Sequence, residues 1–189
     1  MQATPEAAPP VIRREAYRPP EWLVPETRLH FELGLEQTRV RADLTVRRNP
    51  AAPGDAPLRL KGDGLTALGV WIDGVLTNDW AMDGDDLIVP LSGTEHEVGI
   101  ETQIAPAANT QLMGLYASNG MLCTQCEAEG FRRITFFPDR PDVLSTYRVR
   151  MEGSKEAFPV LLSNGNCTDS GDLPDGRHFA DWHDPWPKP

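Results

Sequence analysis

Apolar positions along this chain recur mostly in twos. Leu29, Phe31, Leu33 and Leu35 are separated by His30, Glu32 and Gly34, the period-two pattern of a strand with one buried face. Val40, Ala42, Leu44 and Val46 repeat it, with Arg39, Arg41, Asp43, Thr45 and Arg47 turned the other way. The two runs read as paired antiparallel strands. A Pro/Gly loop over 49–57 leads to a short Leu58-Arg59-Leu60 strand, and residues 68–72 (LGVWI) are followed by an Asp73-Gly74 turn signal and Val75-Leu76. Trp80, Leu87-Ile88-Val89 and residues 98–104 continue the series. Beyond Pro106 the texture changes: 107–120 is rich in small residues and Asn and reads as a loop, while 121–137 is dense in Cys, Glu, Arg and Phe. Alternation resumes at 146–151 and at 158–162, Ser163-Asn164-Gly165-Asn166 reads as a turn, and 177–182 is a last candidate strand. There is no run with the period of an amphipathic helix and no internal repeat.

Composition supports the same reading. Sixteen glycines and 18 prolines in 189 residues are too much punctuation for a helix bundle and suit many short strands joined by turns. The expected fold class is all-β, a sandwich-like antiparallel domain over residues 28–189. Residues 1–27, with Pro5, Pro9, Pro10, Pro19, Pro20 and Pro25, read as an extended N-terminal arm pinned by Tyr17, Trp22 and Leu23.

Charge narrows the partners. A formal net charge of −10 argues against nucleic acid and against an anionic membrane surface, both of which reward basic patches, and leaves cationic ligands open. No apolar run approaches the roughly 20 residues that span a bilayer, and the N-terminus lacks the basic-then-apolar start of a secretory signal. Three cysteines, an odd number in a chain this long, do not make a disulfide framework. A reducing, cytoplasmic setting is the expectation.

Few motifs survive inspection. His96-Glu97-Val98-Gly99-Ile100 begins like the zinc-protease signature H-E-x-x-H, but the fifth position is Ile100 and the flanks read as strand. Cys123-Thr124-Gln125-Cys126 is a C-x-x-C without the second pair of a zinc ribbon or the helix N-terminus of a redox pair, so buried structural thiols are the expectation. Gly62-x-Gly64 lacks a following helix. The histidines are scattered, and His178 and His183 among Phe179, Trp182 and Trp186 read as packing or an interface. That leaves Gln125, Glu127, Glu129, Arg132 and Arg133, the densest polar and charged mixture in the chain. They are set among Cys123, Cys126, Phe131, Ile134, Phe136 and Phe137. Carboxylates among core-forming residues need partners, because an unpaired buried charge is costly. This cluster is the candidate site.

The same stretch carries a resemblance. Residues 109–116 (NTQLMGLY), 122–133 (LCTQCEAEGFRR), 139–144 (DRPDVL), 159–166 (PVLLSNGN), 176–178 (GRH) and 184–189 (DPWPKP), with the early 17–20 (YRPP), resemble bacterial aminopeptidase N, the alanyl aminopeptidase branch of the gluzincin metallopeptidases. The resemblance runs from about Arg14 to the end and implies a saddle-shaped β-sandwich, the N-terminal domain of such an enzyme. It also implies that zinc, its H-E-x-x-H ligands and the rest of the catalytic machinery lie on a domain outside this chain, and that this chain alone is inactive. Matched residue by residue, Glu127 corresponds to the acidic residue that helps bind the substrate's free α-amino group, and Gln125 to one lining the pocket for the first side chain. The implied partners are peptides with a free N-terminus and the missing catalytic domain. Glu129 and Arg132 are assigned to holding the segment's shape. The rival reading is a free-standing β-sandwich binding module.

Overall fold

The computed structural model describes residues 13–52 and 54–189. Residues 1–12 of the proposed arm lie outside them. What is described of the arm includes a single 3₁₀ turn (Arg14–Ala16) and the Tyr17 hydroxyl, which donates to Asp142 at 3.0 Å. The first strand, β1 (Trp22–Glu32), starts earlier than the alternation suggests. Trp22 and Val24 are buried on even positions, Thr27, Leu29 and Phe31 on odd ones, and the ladder to β2 (Thr38–Arg48) shifts register between Leu23 and Glu26. A bulge at Pro25 explains the phase change, since proline has no N–H to give to the ladder. In β2 every second residue from Thr38 to Val46 is buried, as the sequence predicts.

The chain continues through β3 (Leu58–Leu60), β4 (Ala67–Ile72), β5 (Val75–Thr77), β6 (Ala81–Asp83), β7 (Asp86–Val89) and β8 (Glu95–Ile104). After these come β9 (Gly114–Ser118), β10 (Met121–Gln125), β11 (Ser145–Ser154), β12 (Asn166–Asp172) and β13 (Arg177–Lys188). Eight strands form one sheet in the order β12-β13-β11-β1-β2-β8-β4-β5; β3, β7 and β6 form a second; β9 and β10 pair only with each other. The molecule is all-β, as expected, with one departure from an antiparallel plan: β1 and β11 run parallel, Glu26 opposite Thr146 through Glu32 opposite Glu152. A parallel pair requires a long crossover, and here it is everything from β2 to β10.

The core lies between the two larger sheets. Val40, Ala42, Leu44, Val46, Val98 and Ile100 of the large sheet are fully buried in one cluster with Leu60, Leu87 and Val89 of the small one and with Phe136 and Phe137. Each such side chain contributes roughly 1.5–3 kcal/mol by leaving water. Four expectations about strands need correction. Residues 107–120 are not all loop, since Gly114–Ser118 pair with β10 as β9. Residues 158–162 form no ladder: Pro159 cannot donate to one, and Phe158 and Leu161, three apart, are the buried pair while Val160 and Leu162 face solvent. The turn read at 163–166 opens directly into β12, which the alternation missed. The last strand runs to Lys188 through Pro185 and Pro187, beyond the end of its pairing with β12 at His183, where only β11 flanks it.

Candidate functional site

The candidate cluster sits where the β9–β10 hairpin meets the core. Asn119 and Gly120, both at positive φ (50° and 81°), close the hairpin, and its far end pairs Gln125 with Gly114. Past Gln125 the chain reverses. The Gly130 N–H donates to the Cys126 carbonyl at 2.8 Å, Glu129 has φ 65°, and the Glu127–Ala128 peptide is cis. A 3₁₀ turn (Phe131–Arg133) then leads inward. Gly130 is required here: a Cβ would lie 2.5 Å from the Gln125 carbonyl oxygen and 2.9 Å from the Cys126 Cα.

Directly after the reversal the segment is anchored in the core. Phe131 packs edge-on against Phe137 (5.0 Å between centroids) and Tyr147 (6.2 Å). Phe137 exchanges main-chain hydrogen bonds with Lys61 beside β3, and the buried Thr102 hydroxyl of β8 donates to the Ile134 carbonyl at 3.0 Å. The turn is thus tied to both sheets of the sandwich.

The apolar and polar members of the cluster part company. Ile134, Phe136 and Phe137 are buried, whereas Gln125, Glu127 and Glu129 are exposed, which corrects the expectation that these carboxylates sit among core residues. The Glu127 carboxylate makes no hydrogen bond or ion pair among the described residues. Gln125 turns back: its Nε2 donates to the Glu127 carbonyl at 2.8 Å. Glu129 and Arg132 lie 3.4 Å apart. Arg132 donates through Nε to Asp139 Oδ2 and through Nη2 to the Asp139 carbonyl, both at 2.9 Å. Asp139 stands in the sequence only as the first residue of the 139–144 match, seven residues past Arg132, with no local signal that the two side chains meet.

Beside the turn lies a cleft of about 820 Å³. Leu29, Phe31, Tyr147, Val149 and Met151 of β1 and β11 line one side, and Glu127, Ala128 and Glu129 line another. Burial, reinforced by the Asp139 carboxylate, pushes the Tyr147 phenol above its ordinary range. An apolar cleft with a few polar groups at its edge is what a small ligand or a packed neighbour uses.

The remaining motifs are structural. His96 is the second residue of strand β8, not part of a helix, and its Nδ1 lies 2.8 Å from Asp73. The cysteines are all free; Cys123, in β10, and Cys126, just beyond it, are only half-buried, which corrects the expectation that the C-x-x-C thiols are buried within a sheet, and Cys167 is exposed. Burial first, and Asp139 second, push the Cys126 thiol up to about 11, the reverse of a redox nucleophile. Among the described residues no group of three or more His, Cys, Asp or Glu is placed to hold a metal ion, so they do not fit the zinc site that the resemblance implies elsewhere.

The fold is that of the N-terminal domain of M1 metallopeptidases, as comparison with known proteins shows. The structure superposes on aminopeptidase A of Legionella pneumophila in complex with aspartic acid with a TM-score of 0.87 and 31% identity, over 93% of this chain and 21% of that one. It shares the fold of a mutant M1 zinc metallopeptidase from Deinococcus radiodurans bound to a Tyr-Ser-Ala substrate (TM-score 0.73, 16% identity, 88% of this chain and 40% of that one). Aminopeptidase N of Caulobacter vibrioides is 46% identical over 183 residues, which are 96% of this chain and 21% of the relative. Aminopeptidase N of Escherichia coli (strain K12) is 42% identical over 176 residues, 93% of this chain and 20% of the relative. The Peptidase M1 N-terminal domain family matches residues 77–189, and the chain belongs to that family. It spans about a fifth of the length of the curated relatives it matches.

Proposed function

We propose that this domain supplies part of the substrate site of a zinc aminopeptidase: Glu127 binds the free α-amino group of a peptide, and Gln125 lines the space for its first side chain. The zinc and its ligands belong to polypeptide outside this chain, and the chain by itself hydrolyses nothing. The observation that carries the reading is the placing of Glu127: an exposed carboxylate without a partner among the described residues, on a turn braced to both sheets, at the edge of an apolar cleft.

The chemistry suits an exopeptidase. What distinguishes a chain end from an internal amide is a cationic amine, and a carboxylate recognises it. At about 4 Å, opposite charges attract by roughly 4 kcal/mol at an effective dielectric near 20, less the desolvation of both groups. A fixed amine also fixes where the first peptide bond lies, and positioning of this kind lowers barriers by several kcal/mol.

The test is Glu127→Ala in the intact enzyme. A charge-assisted hydrogen bond is worth roughly 1.5–3 kcal/mol, so kcat/KM for free-amine peptides should fall about 10- to 150-fold with zinc content unchanged. Parallel loss of zinc and activity would point to misfolding, and unchanged kcat/KM would remove Glu127 from the site.

A further inference from the structure

Because Glu127 has no partner of its own among the described residues, the direction of its carboxylate depends on how its turn is held. We propose that Arg132 is the positioning residue of that turn, aiming Glu127 at the substrate's amine without touching the substrate; the inference rests on the role assigned above to Glu127.

Arg132 reaches in two directions. Toward the 138–141 loop it makes three contacts with one residue: main-chain N to Asp139 Oδ2 at 3.2 Å, Nε to the same oxygen at 2.9 Å, and Nη2 to the Asp139 carbonyl at 2.9 Å. Toward the turn, Nη2 stands 3.4 Å from Oε1 of Glu129, two residues past Glu127. The Arg132 and Asp139 side chains are only 20% and 15% exposed, so water and salt screen this pair less than a surface one. The Arg132 carbonyl also accepts from the Asp63 N–H at 2.9 Å, and Arg133 pairs with the Asp63 carboxylate, which fixes the base of the turn to the segment after β3.

The guanidinium is suited to this and an ammonium is not. A planar fork meets a carboxylate oxygen and a carbonyl oxygen of one residue while a further N–H faces Glu129; lysine presents a single point charge. Its polar partners, Asp139 and Glu129, lie outside the core that buries Ile134, Phe136 and Phe137. Removing it should therefore loosen the turn more than the fold.

The experiment compares two zinc-chelating inhibitors of the intact enzyme, an amino-acid hydroxamate with a free α-amine and the same hydroxamate without the amine. Arg132→Gln and Asp139→Asn should each weaken the amine-bearing inhibitor by about 10- to 100-fold, the scale of an ångström-sized misplacement, and leave the other unchanged. Arg132→Lys should restore only part of the loss. Equal weakening of both inhibitors, or of neither, overturns the proposal, and Asp139→Asn decides it if Arg132→Gln does not fold. Glu127→Ala is run alongside. If it too fails to discriminate, the amine-binding reading falls and this inference with it; if it discriminates and the Arg132 and Asp139 variants do not, this inference alone falls.

Discussion

The side-chain amide of Gln125 donates to the main-chain carbonyl of Glu127 at 2.8 Å. The residue matched to the first-side-chain pocket thus also closes the turn that presents the carboxylate, and its carboxamide oxygen remains available to a ligand. A neutral hydrogen bond contributes roughly 0.5–1.5 kcal/mol. Gln125→Ala in the intact enzyme should lower kcat/KM for free-amine peptides by about 2- to 12-fold, chiefly through KM. Gln125→Glu should do worse, because an ionised carboxylate cannot donate to that carbonyl and adds a like charge beside Glu127. Steady-state kinetics of the two variants checks the order; a Gln125→Glu enzyme as good as the parent would show that the contact is not needed.

Gly130 sets the tightness of the same turn. A methyl group there meets main-chain atoms at 2.5 and 2.9 Å and the Met113 methyl at 3.0 Å. Only the methionine can move aside cheaply. Overpacking of this kind costs about 1–3 kcal/mol, so Gly130→Ala should lower the denaturation midpoint of this domain. Denaturant titration measures it, and an unchanged midpoint would mean that the turn opens more easily than its contacts indicate.

These contacts also mark what the amino-acid sequence can and cannot show. Leu29 to Leu35 and Val40 to Val46 were legible because one face of each run is buried, which imposes period two. β12 was not: Cys167, Thr168, Asp169 and Ser170 are all exposed at a sheet edge, so nothing forces alternation. The parallel pairing of β1 with β11 leaves no local mark, since the partner lies more than a hundred residues away. At the site, the neighbourhood of Glu127 with Phe131, Ile134 and Phe136 suggested shelter, yet the chain reverses between them and sends acids outward and aromatics inward. Composition could single out the cluster; only the family resemblance could assign Glu127 a role, and only the fold brings Asp139 to Arg132.

His96 offers a test by pH. Its Nδ1 faces the Asp73 carboxylate at 2.8 Å and its Nε2 the Ser92 carbonyl, two acceptors that only a doubly protonated ring can serve together. The hydrogen bond to Asp73, first among the causes and opposed by burial, raises the His96 pKa above its ordinary 6.5. Asp73 is lowered, mainly by the Glu97 N–H and then by His96. A raised histidine contributes stability that is fully present below its ordinary pKa and is lost as pH climbs through the folded value. A lowered carboxylate contributes above its ordinary pKa and loses it in acid. The Asp73 turn should thus be most firmly joined to β8 between these limits. Melting curves of the parent and His96→Asn from about pH 5.5 to 9 should converge at the alkaline end; a constant gap would mean that the ring is not held as a cation.

The thiols give a last test, next to the carboxylate itself. Alkylating reagents attack thiolates. A thiol pushed up to about 11 is only about 0.1% ionised at pH 8, since each unit of pKa is a factor of ten. Cys126 is also half-buried against the core, whereas Cys167 is exposed on the edge strand β12, its thiol resting 3.4 Å from the Asp169 carbonyl. Iodoacetamide on the native domain should therefore modify Cys167 first and Cys126 last, with Cys126 reacting readily only in denaturant. Peptide mapping by mass spectrometry gives the order. Early labelling of Cys126 would mean that the turn opens on the timescale of the reaction, and a turn that opens so readily could not hold Glu127 in one place.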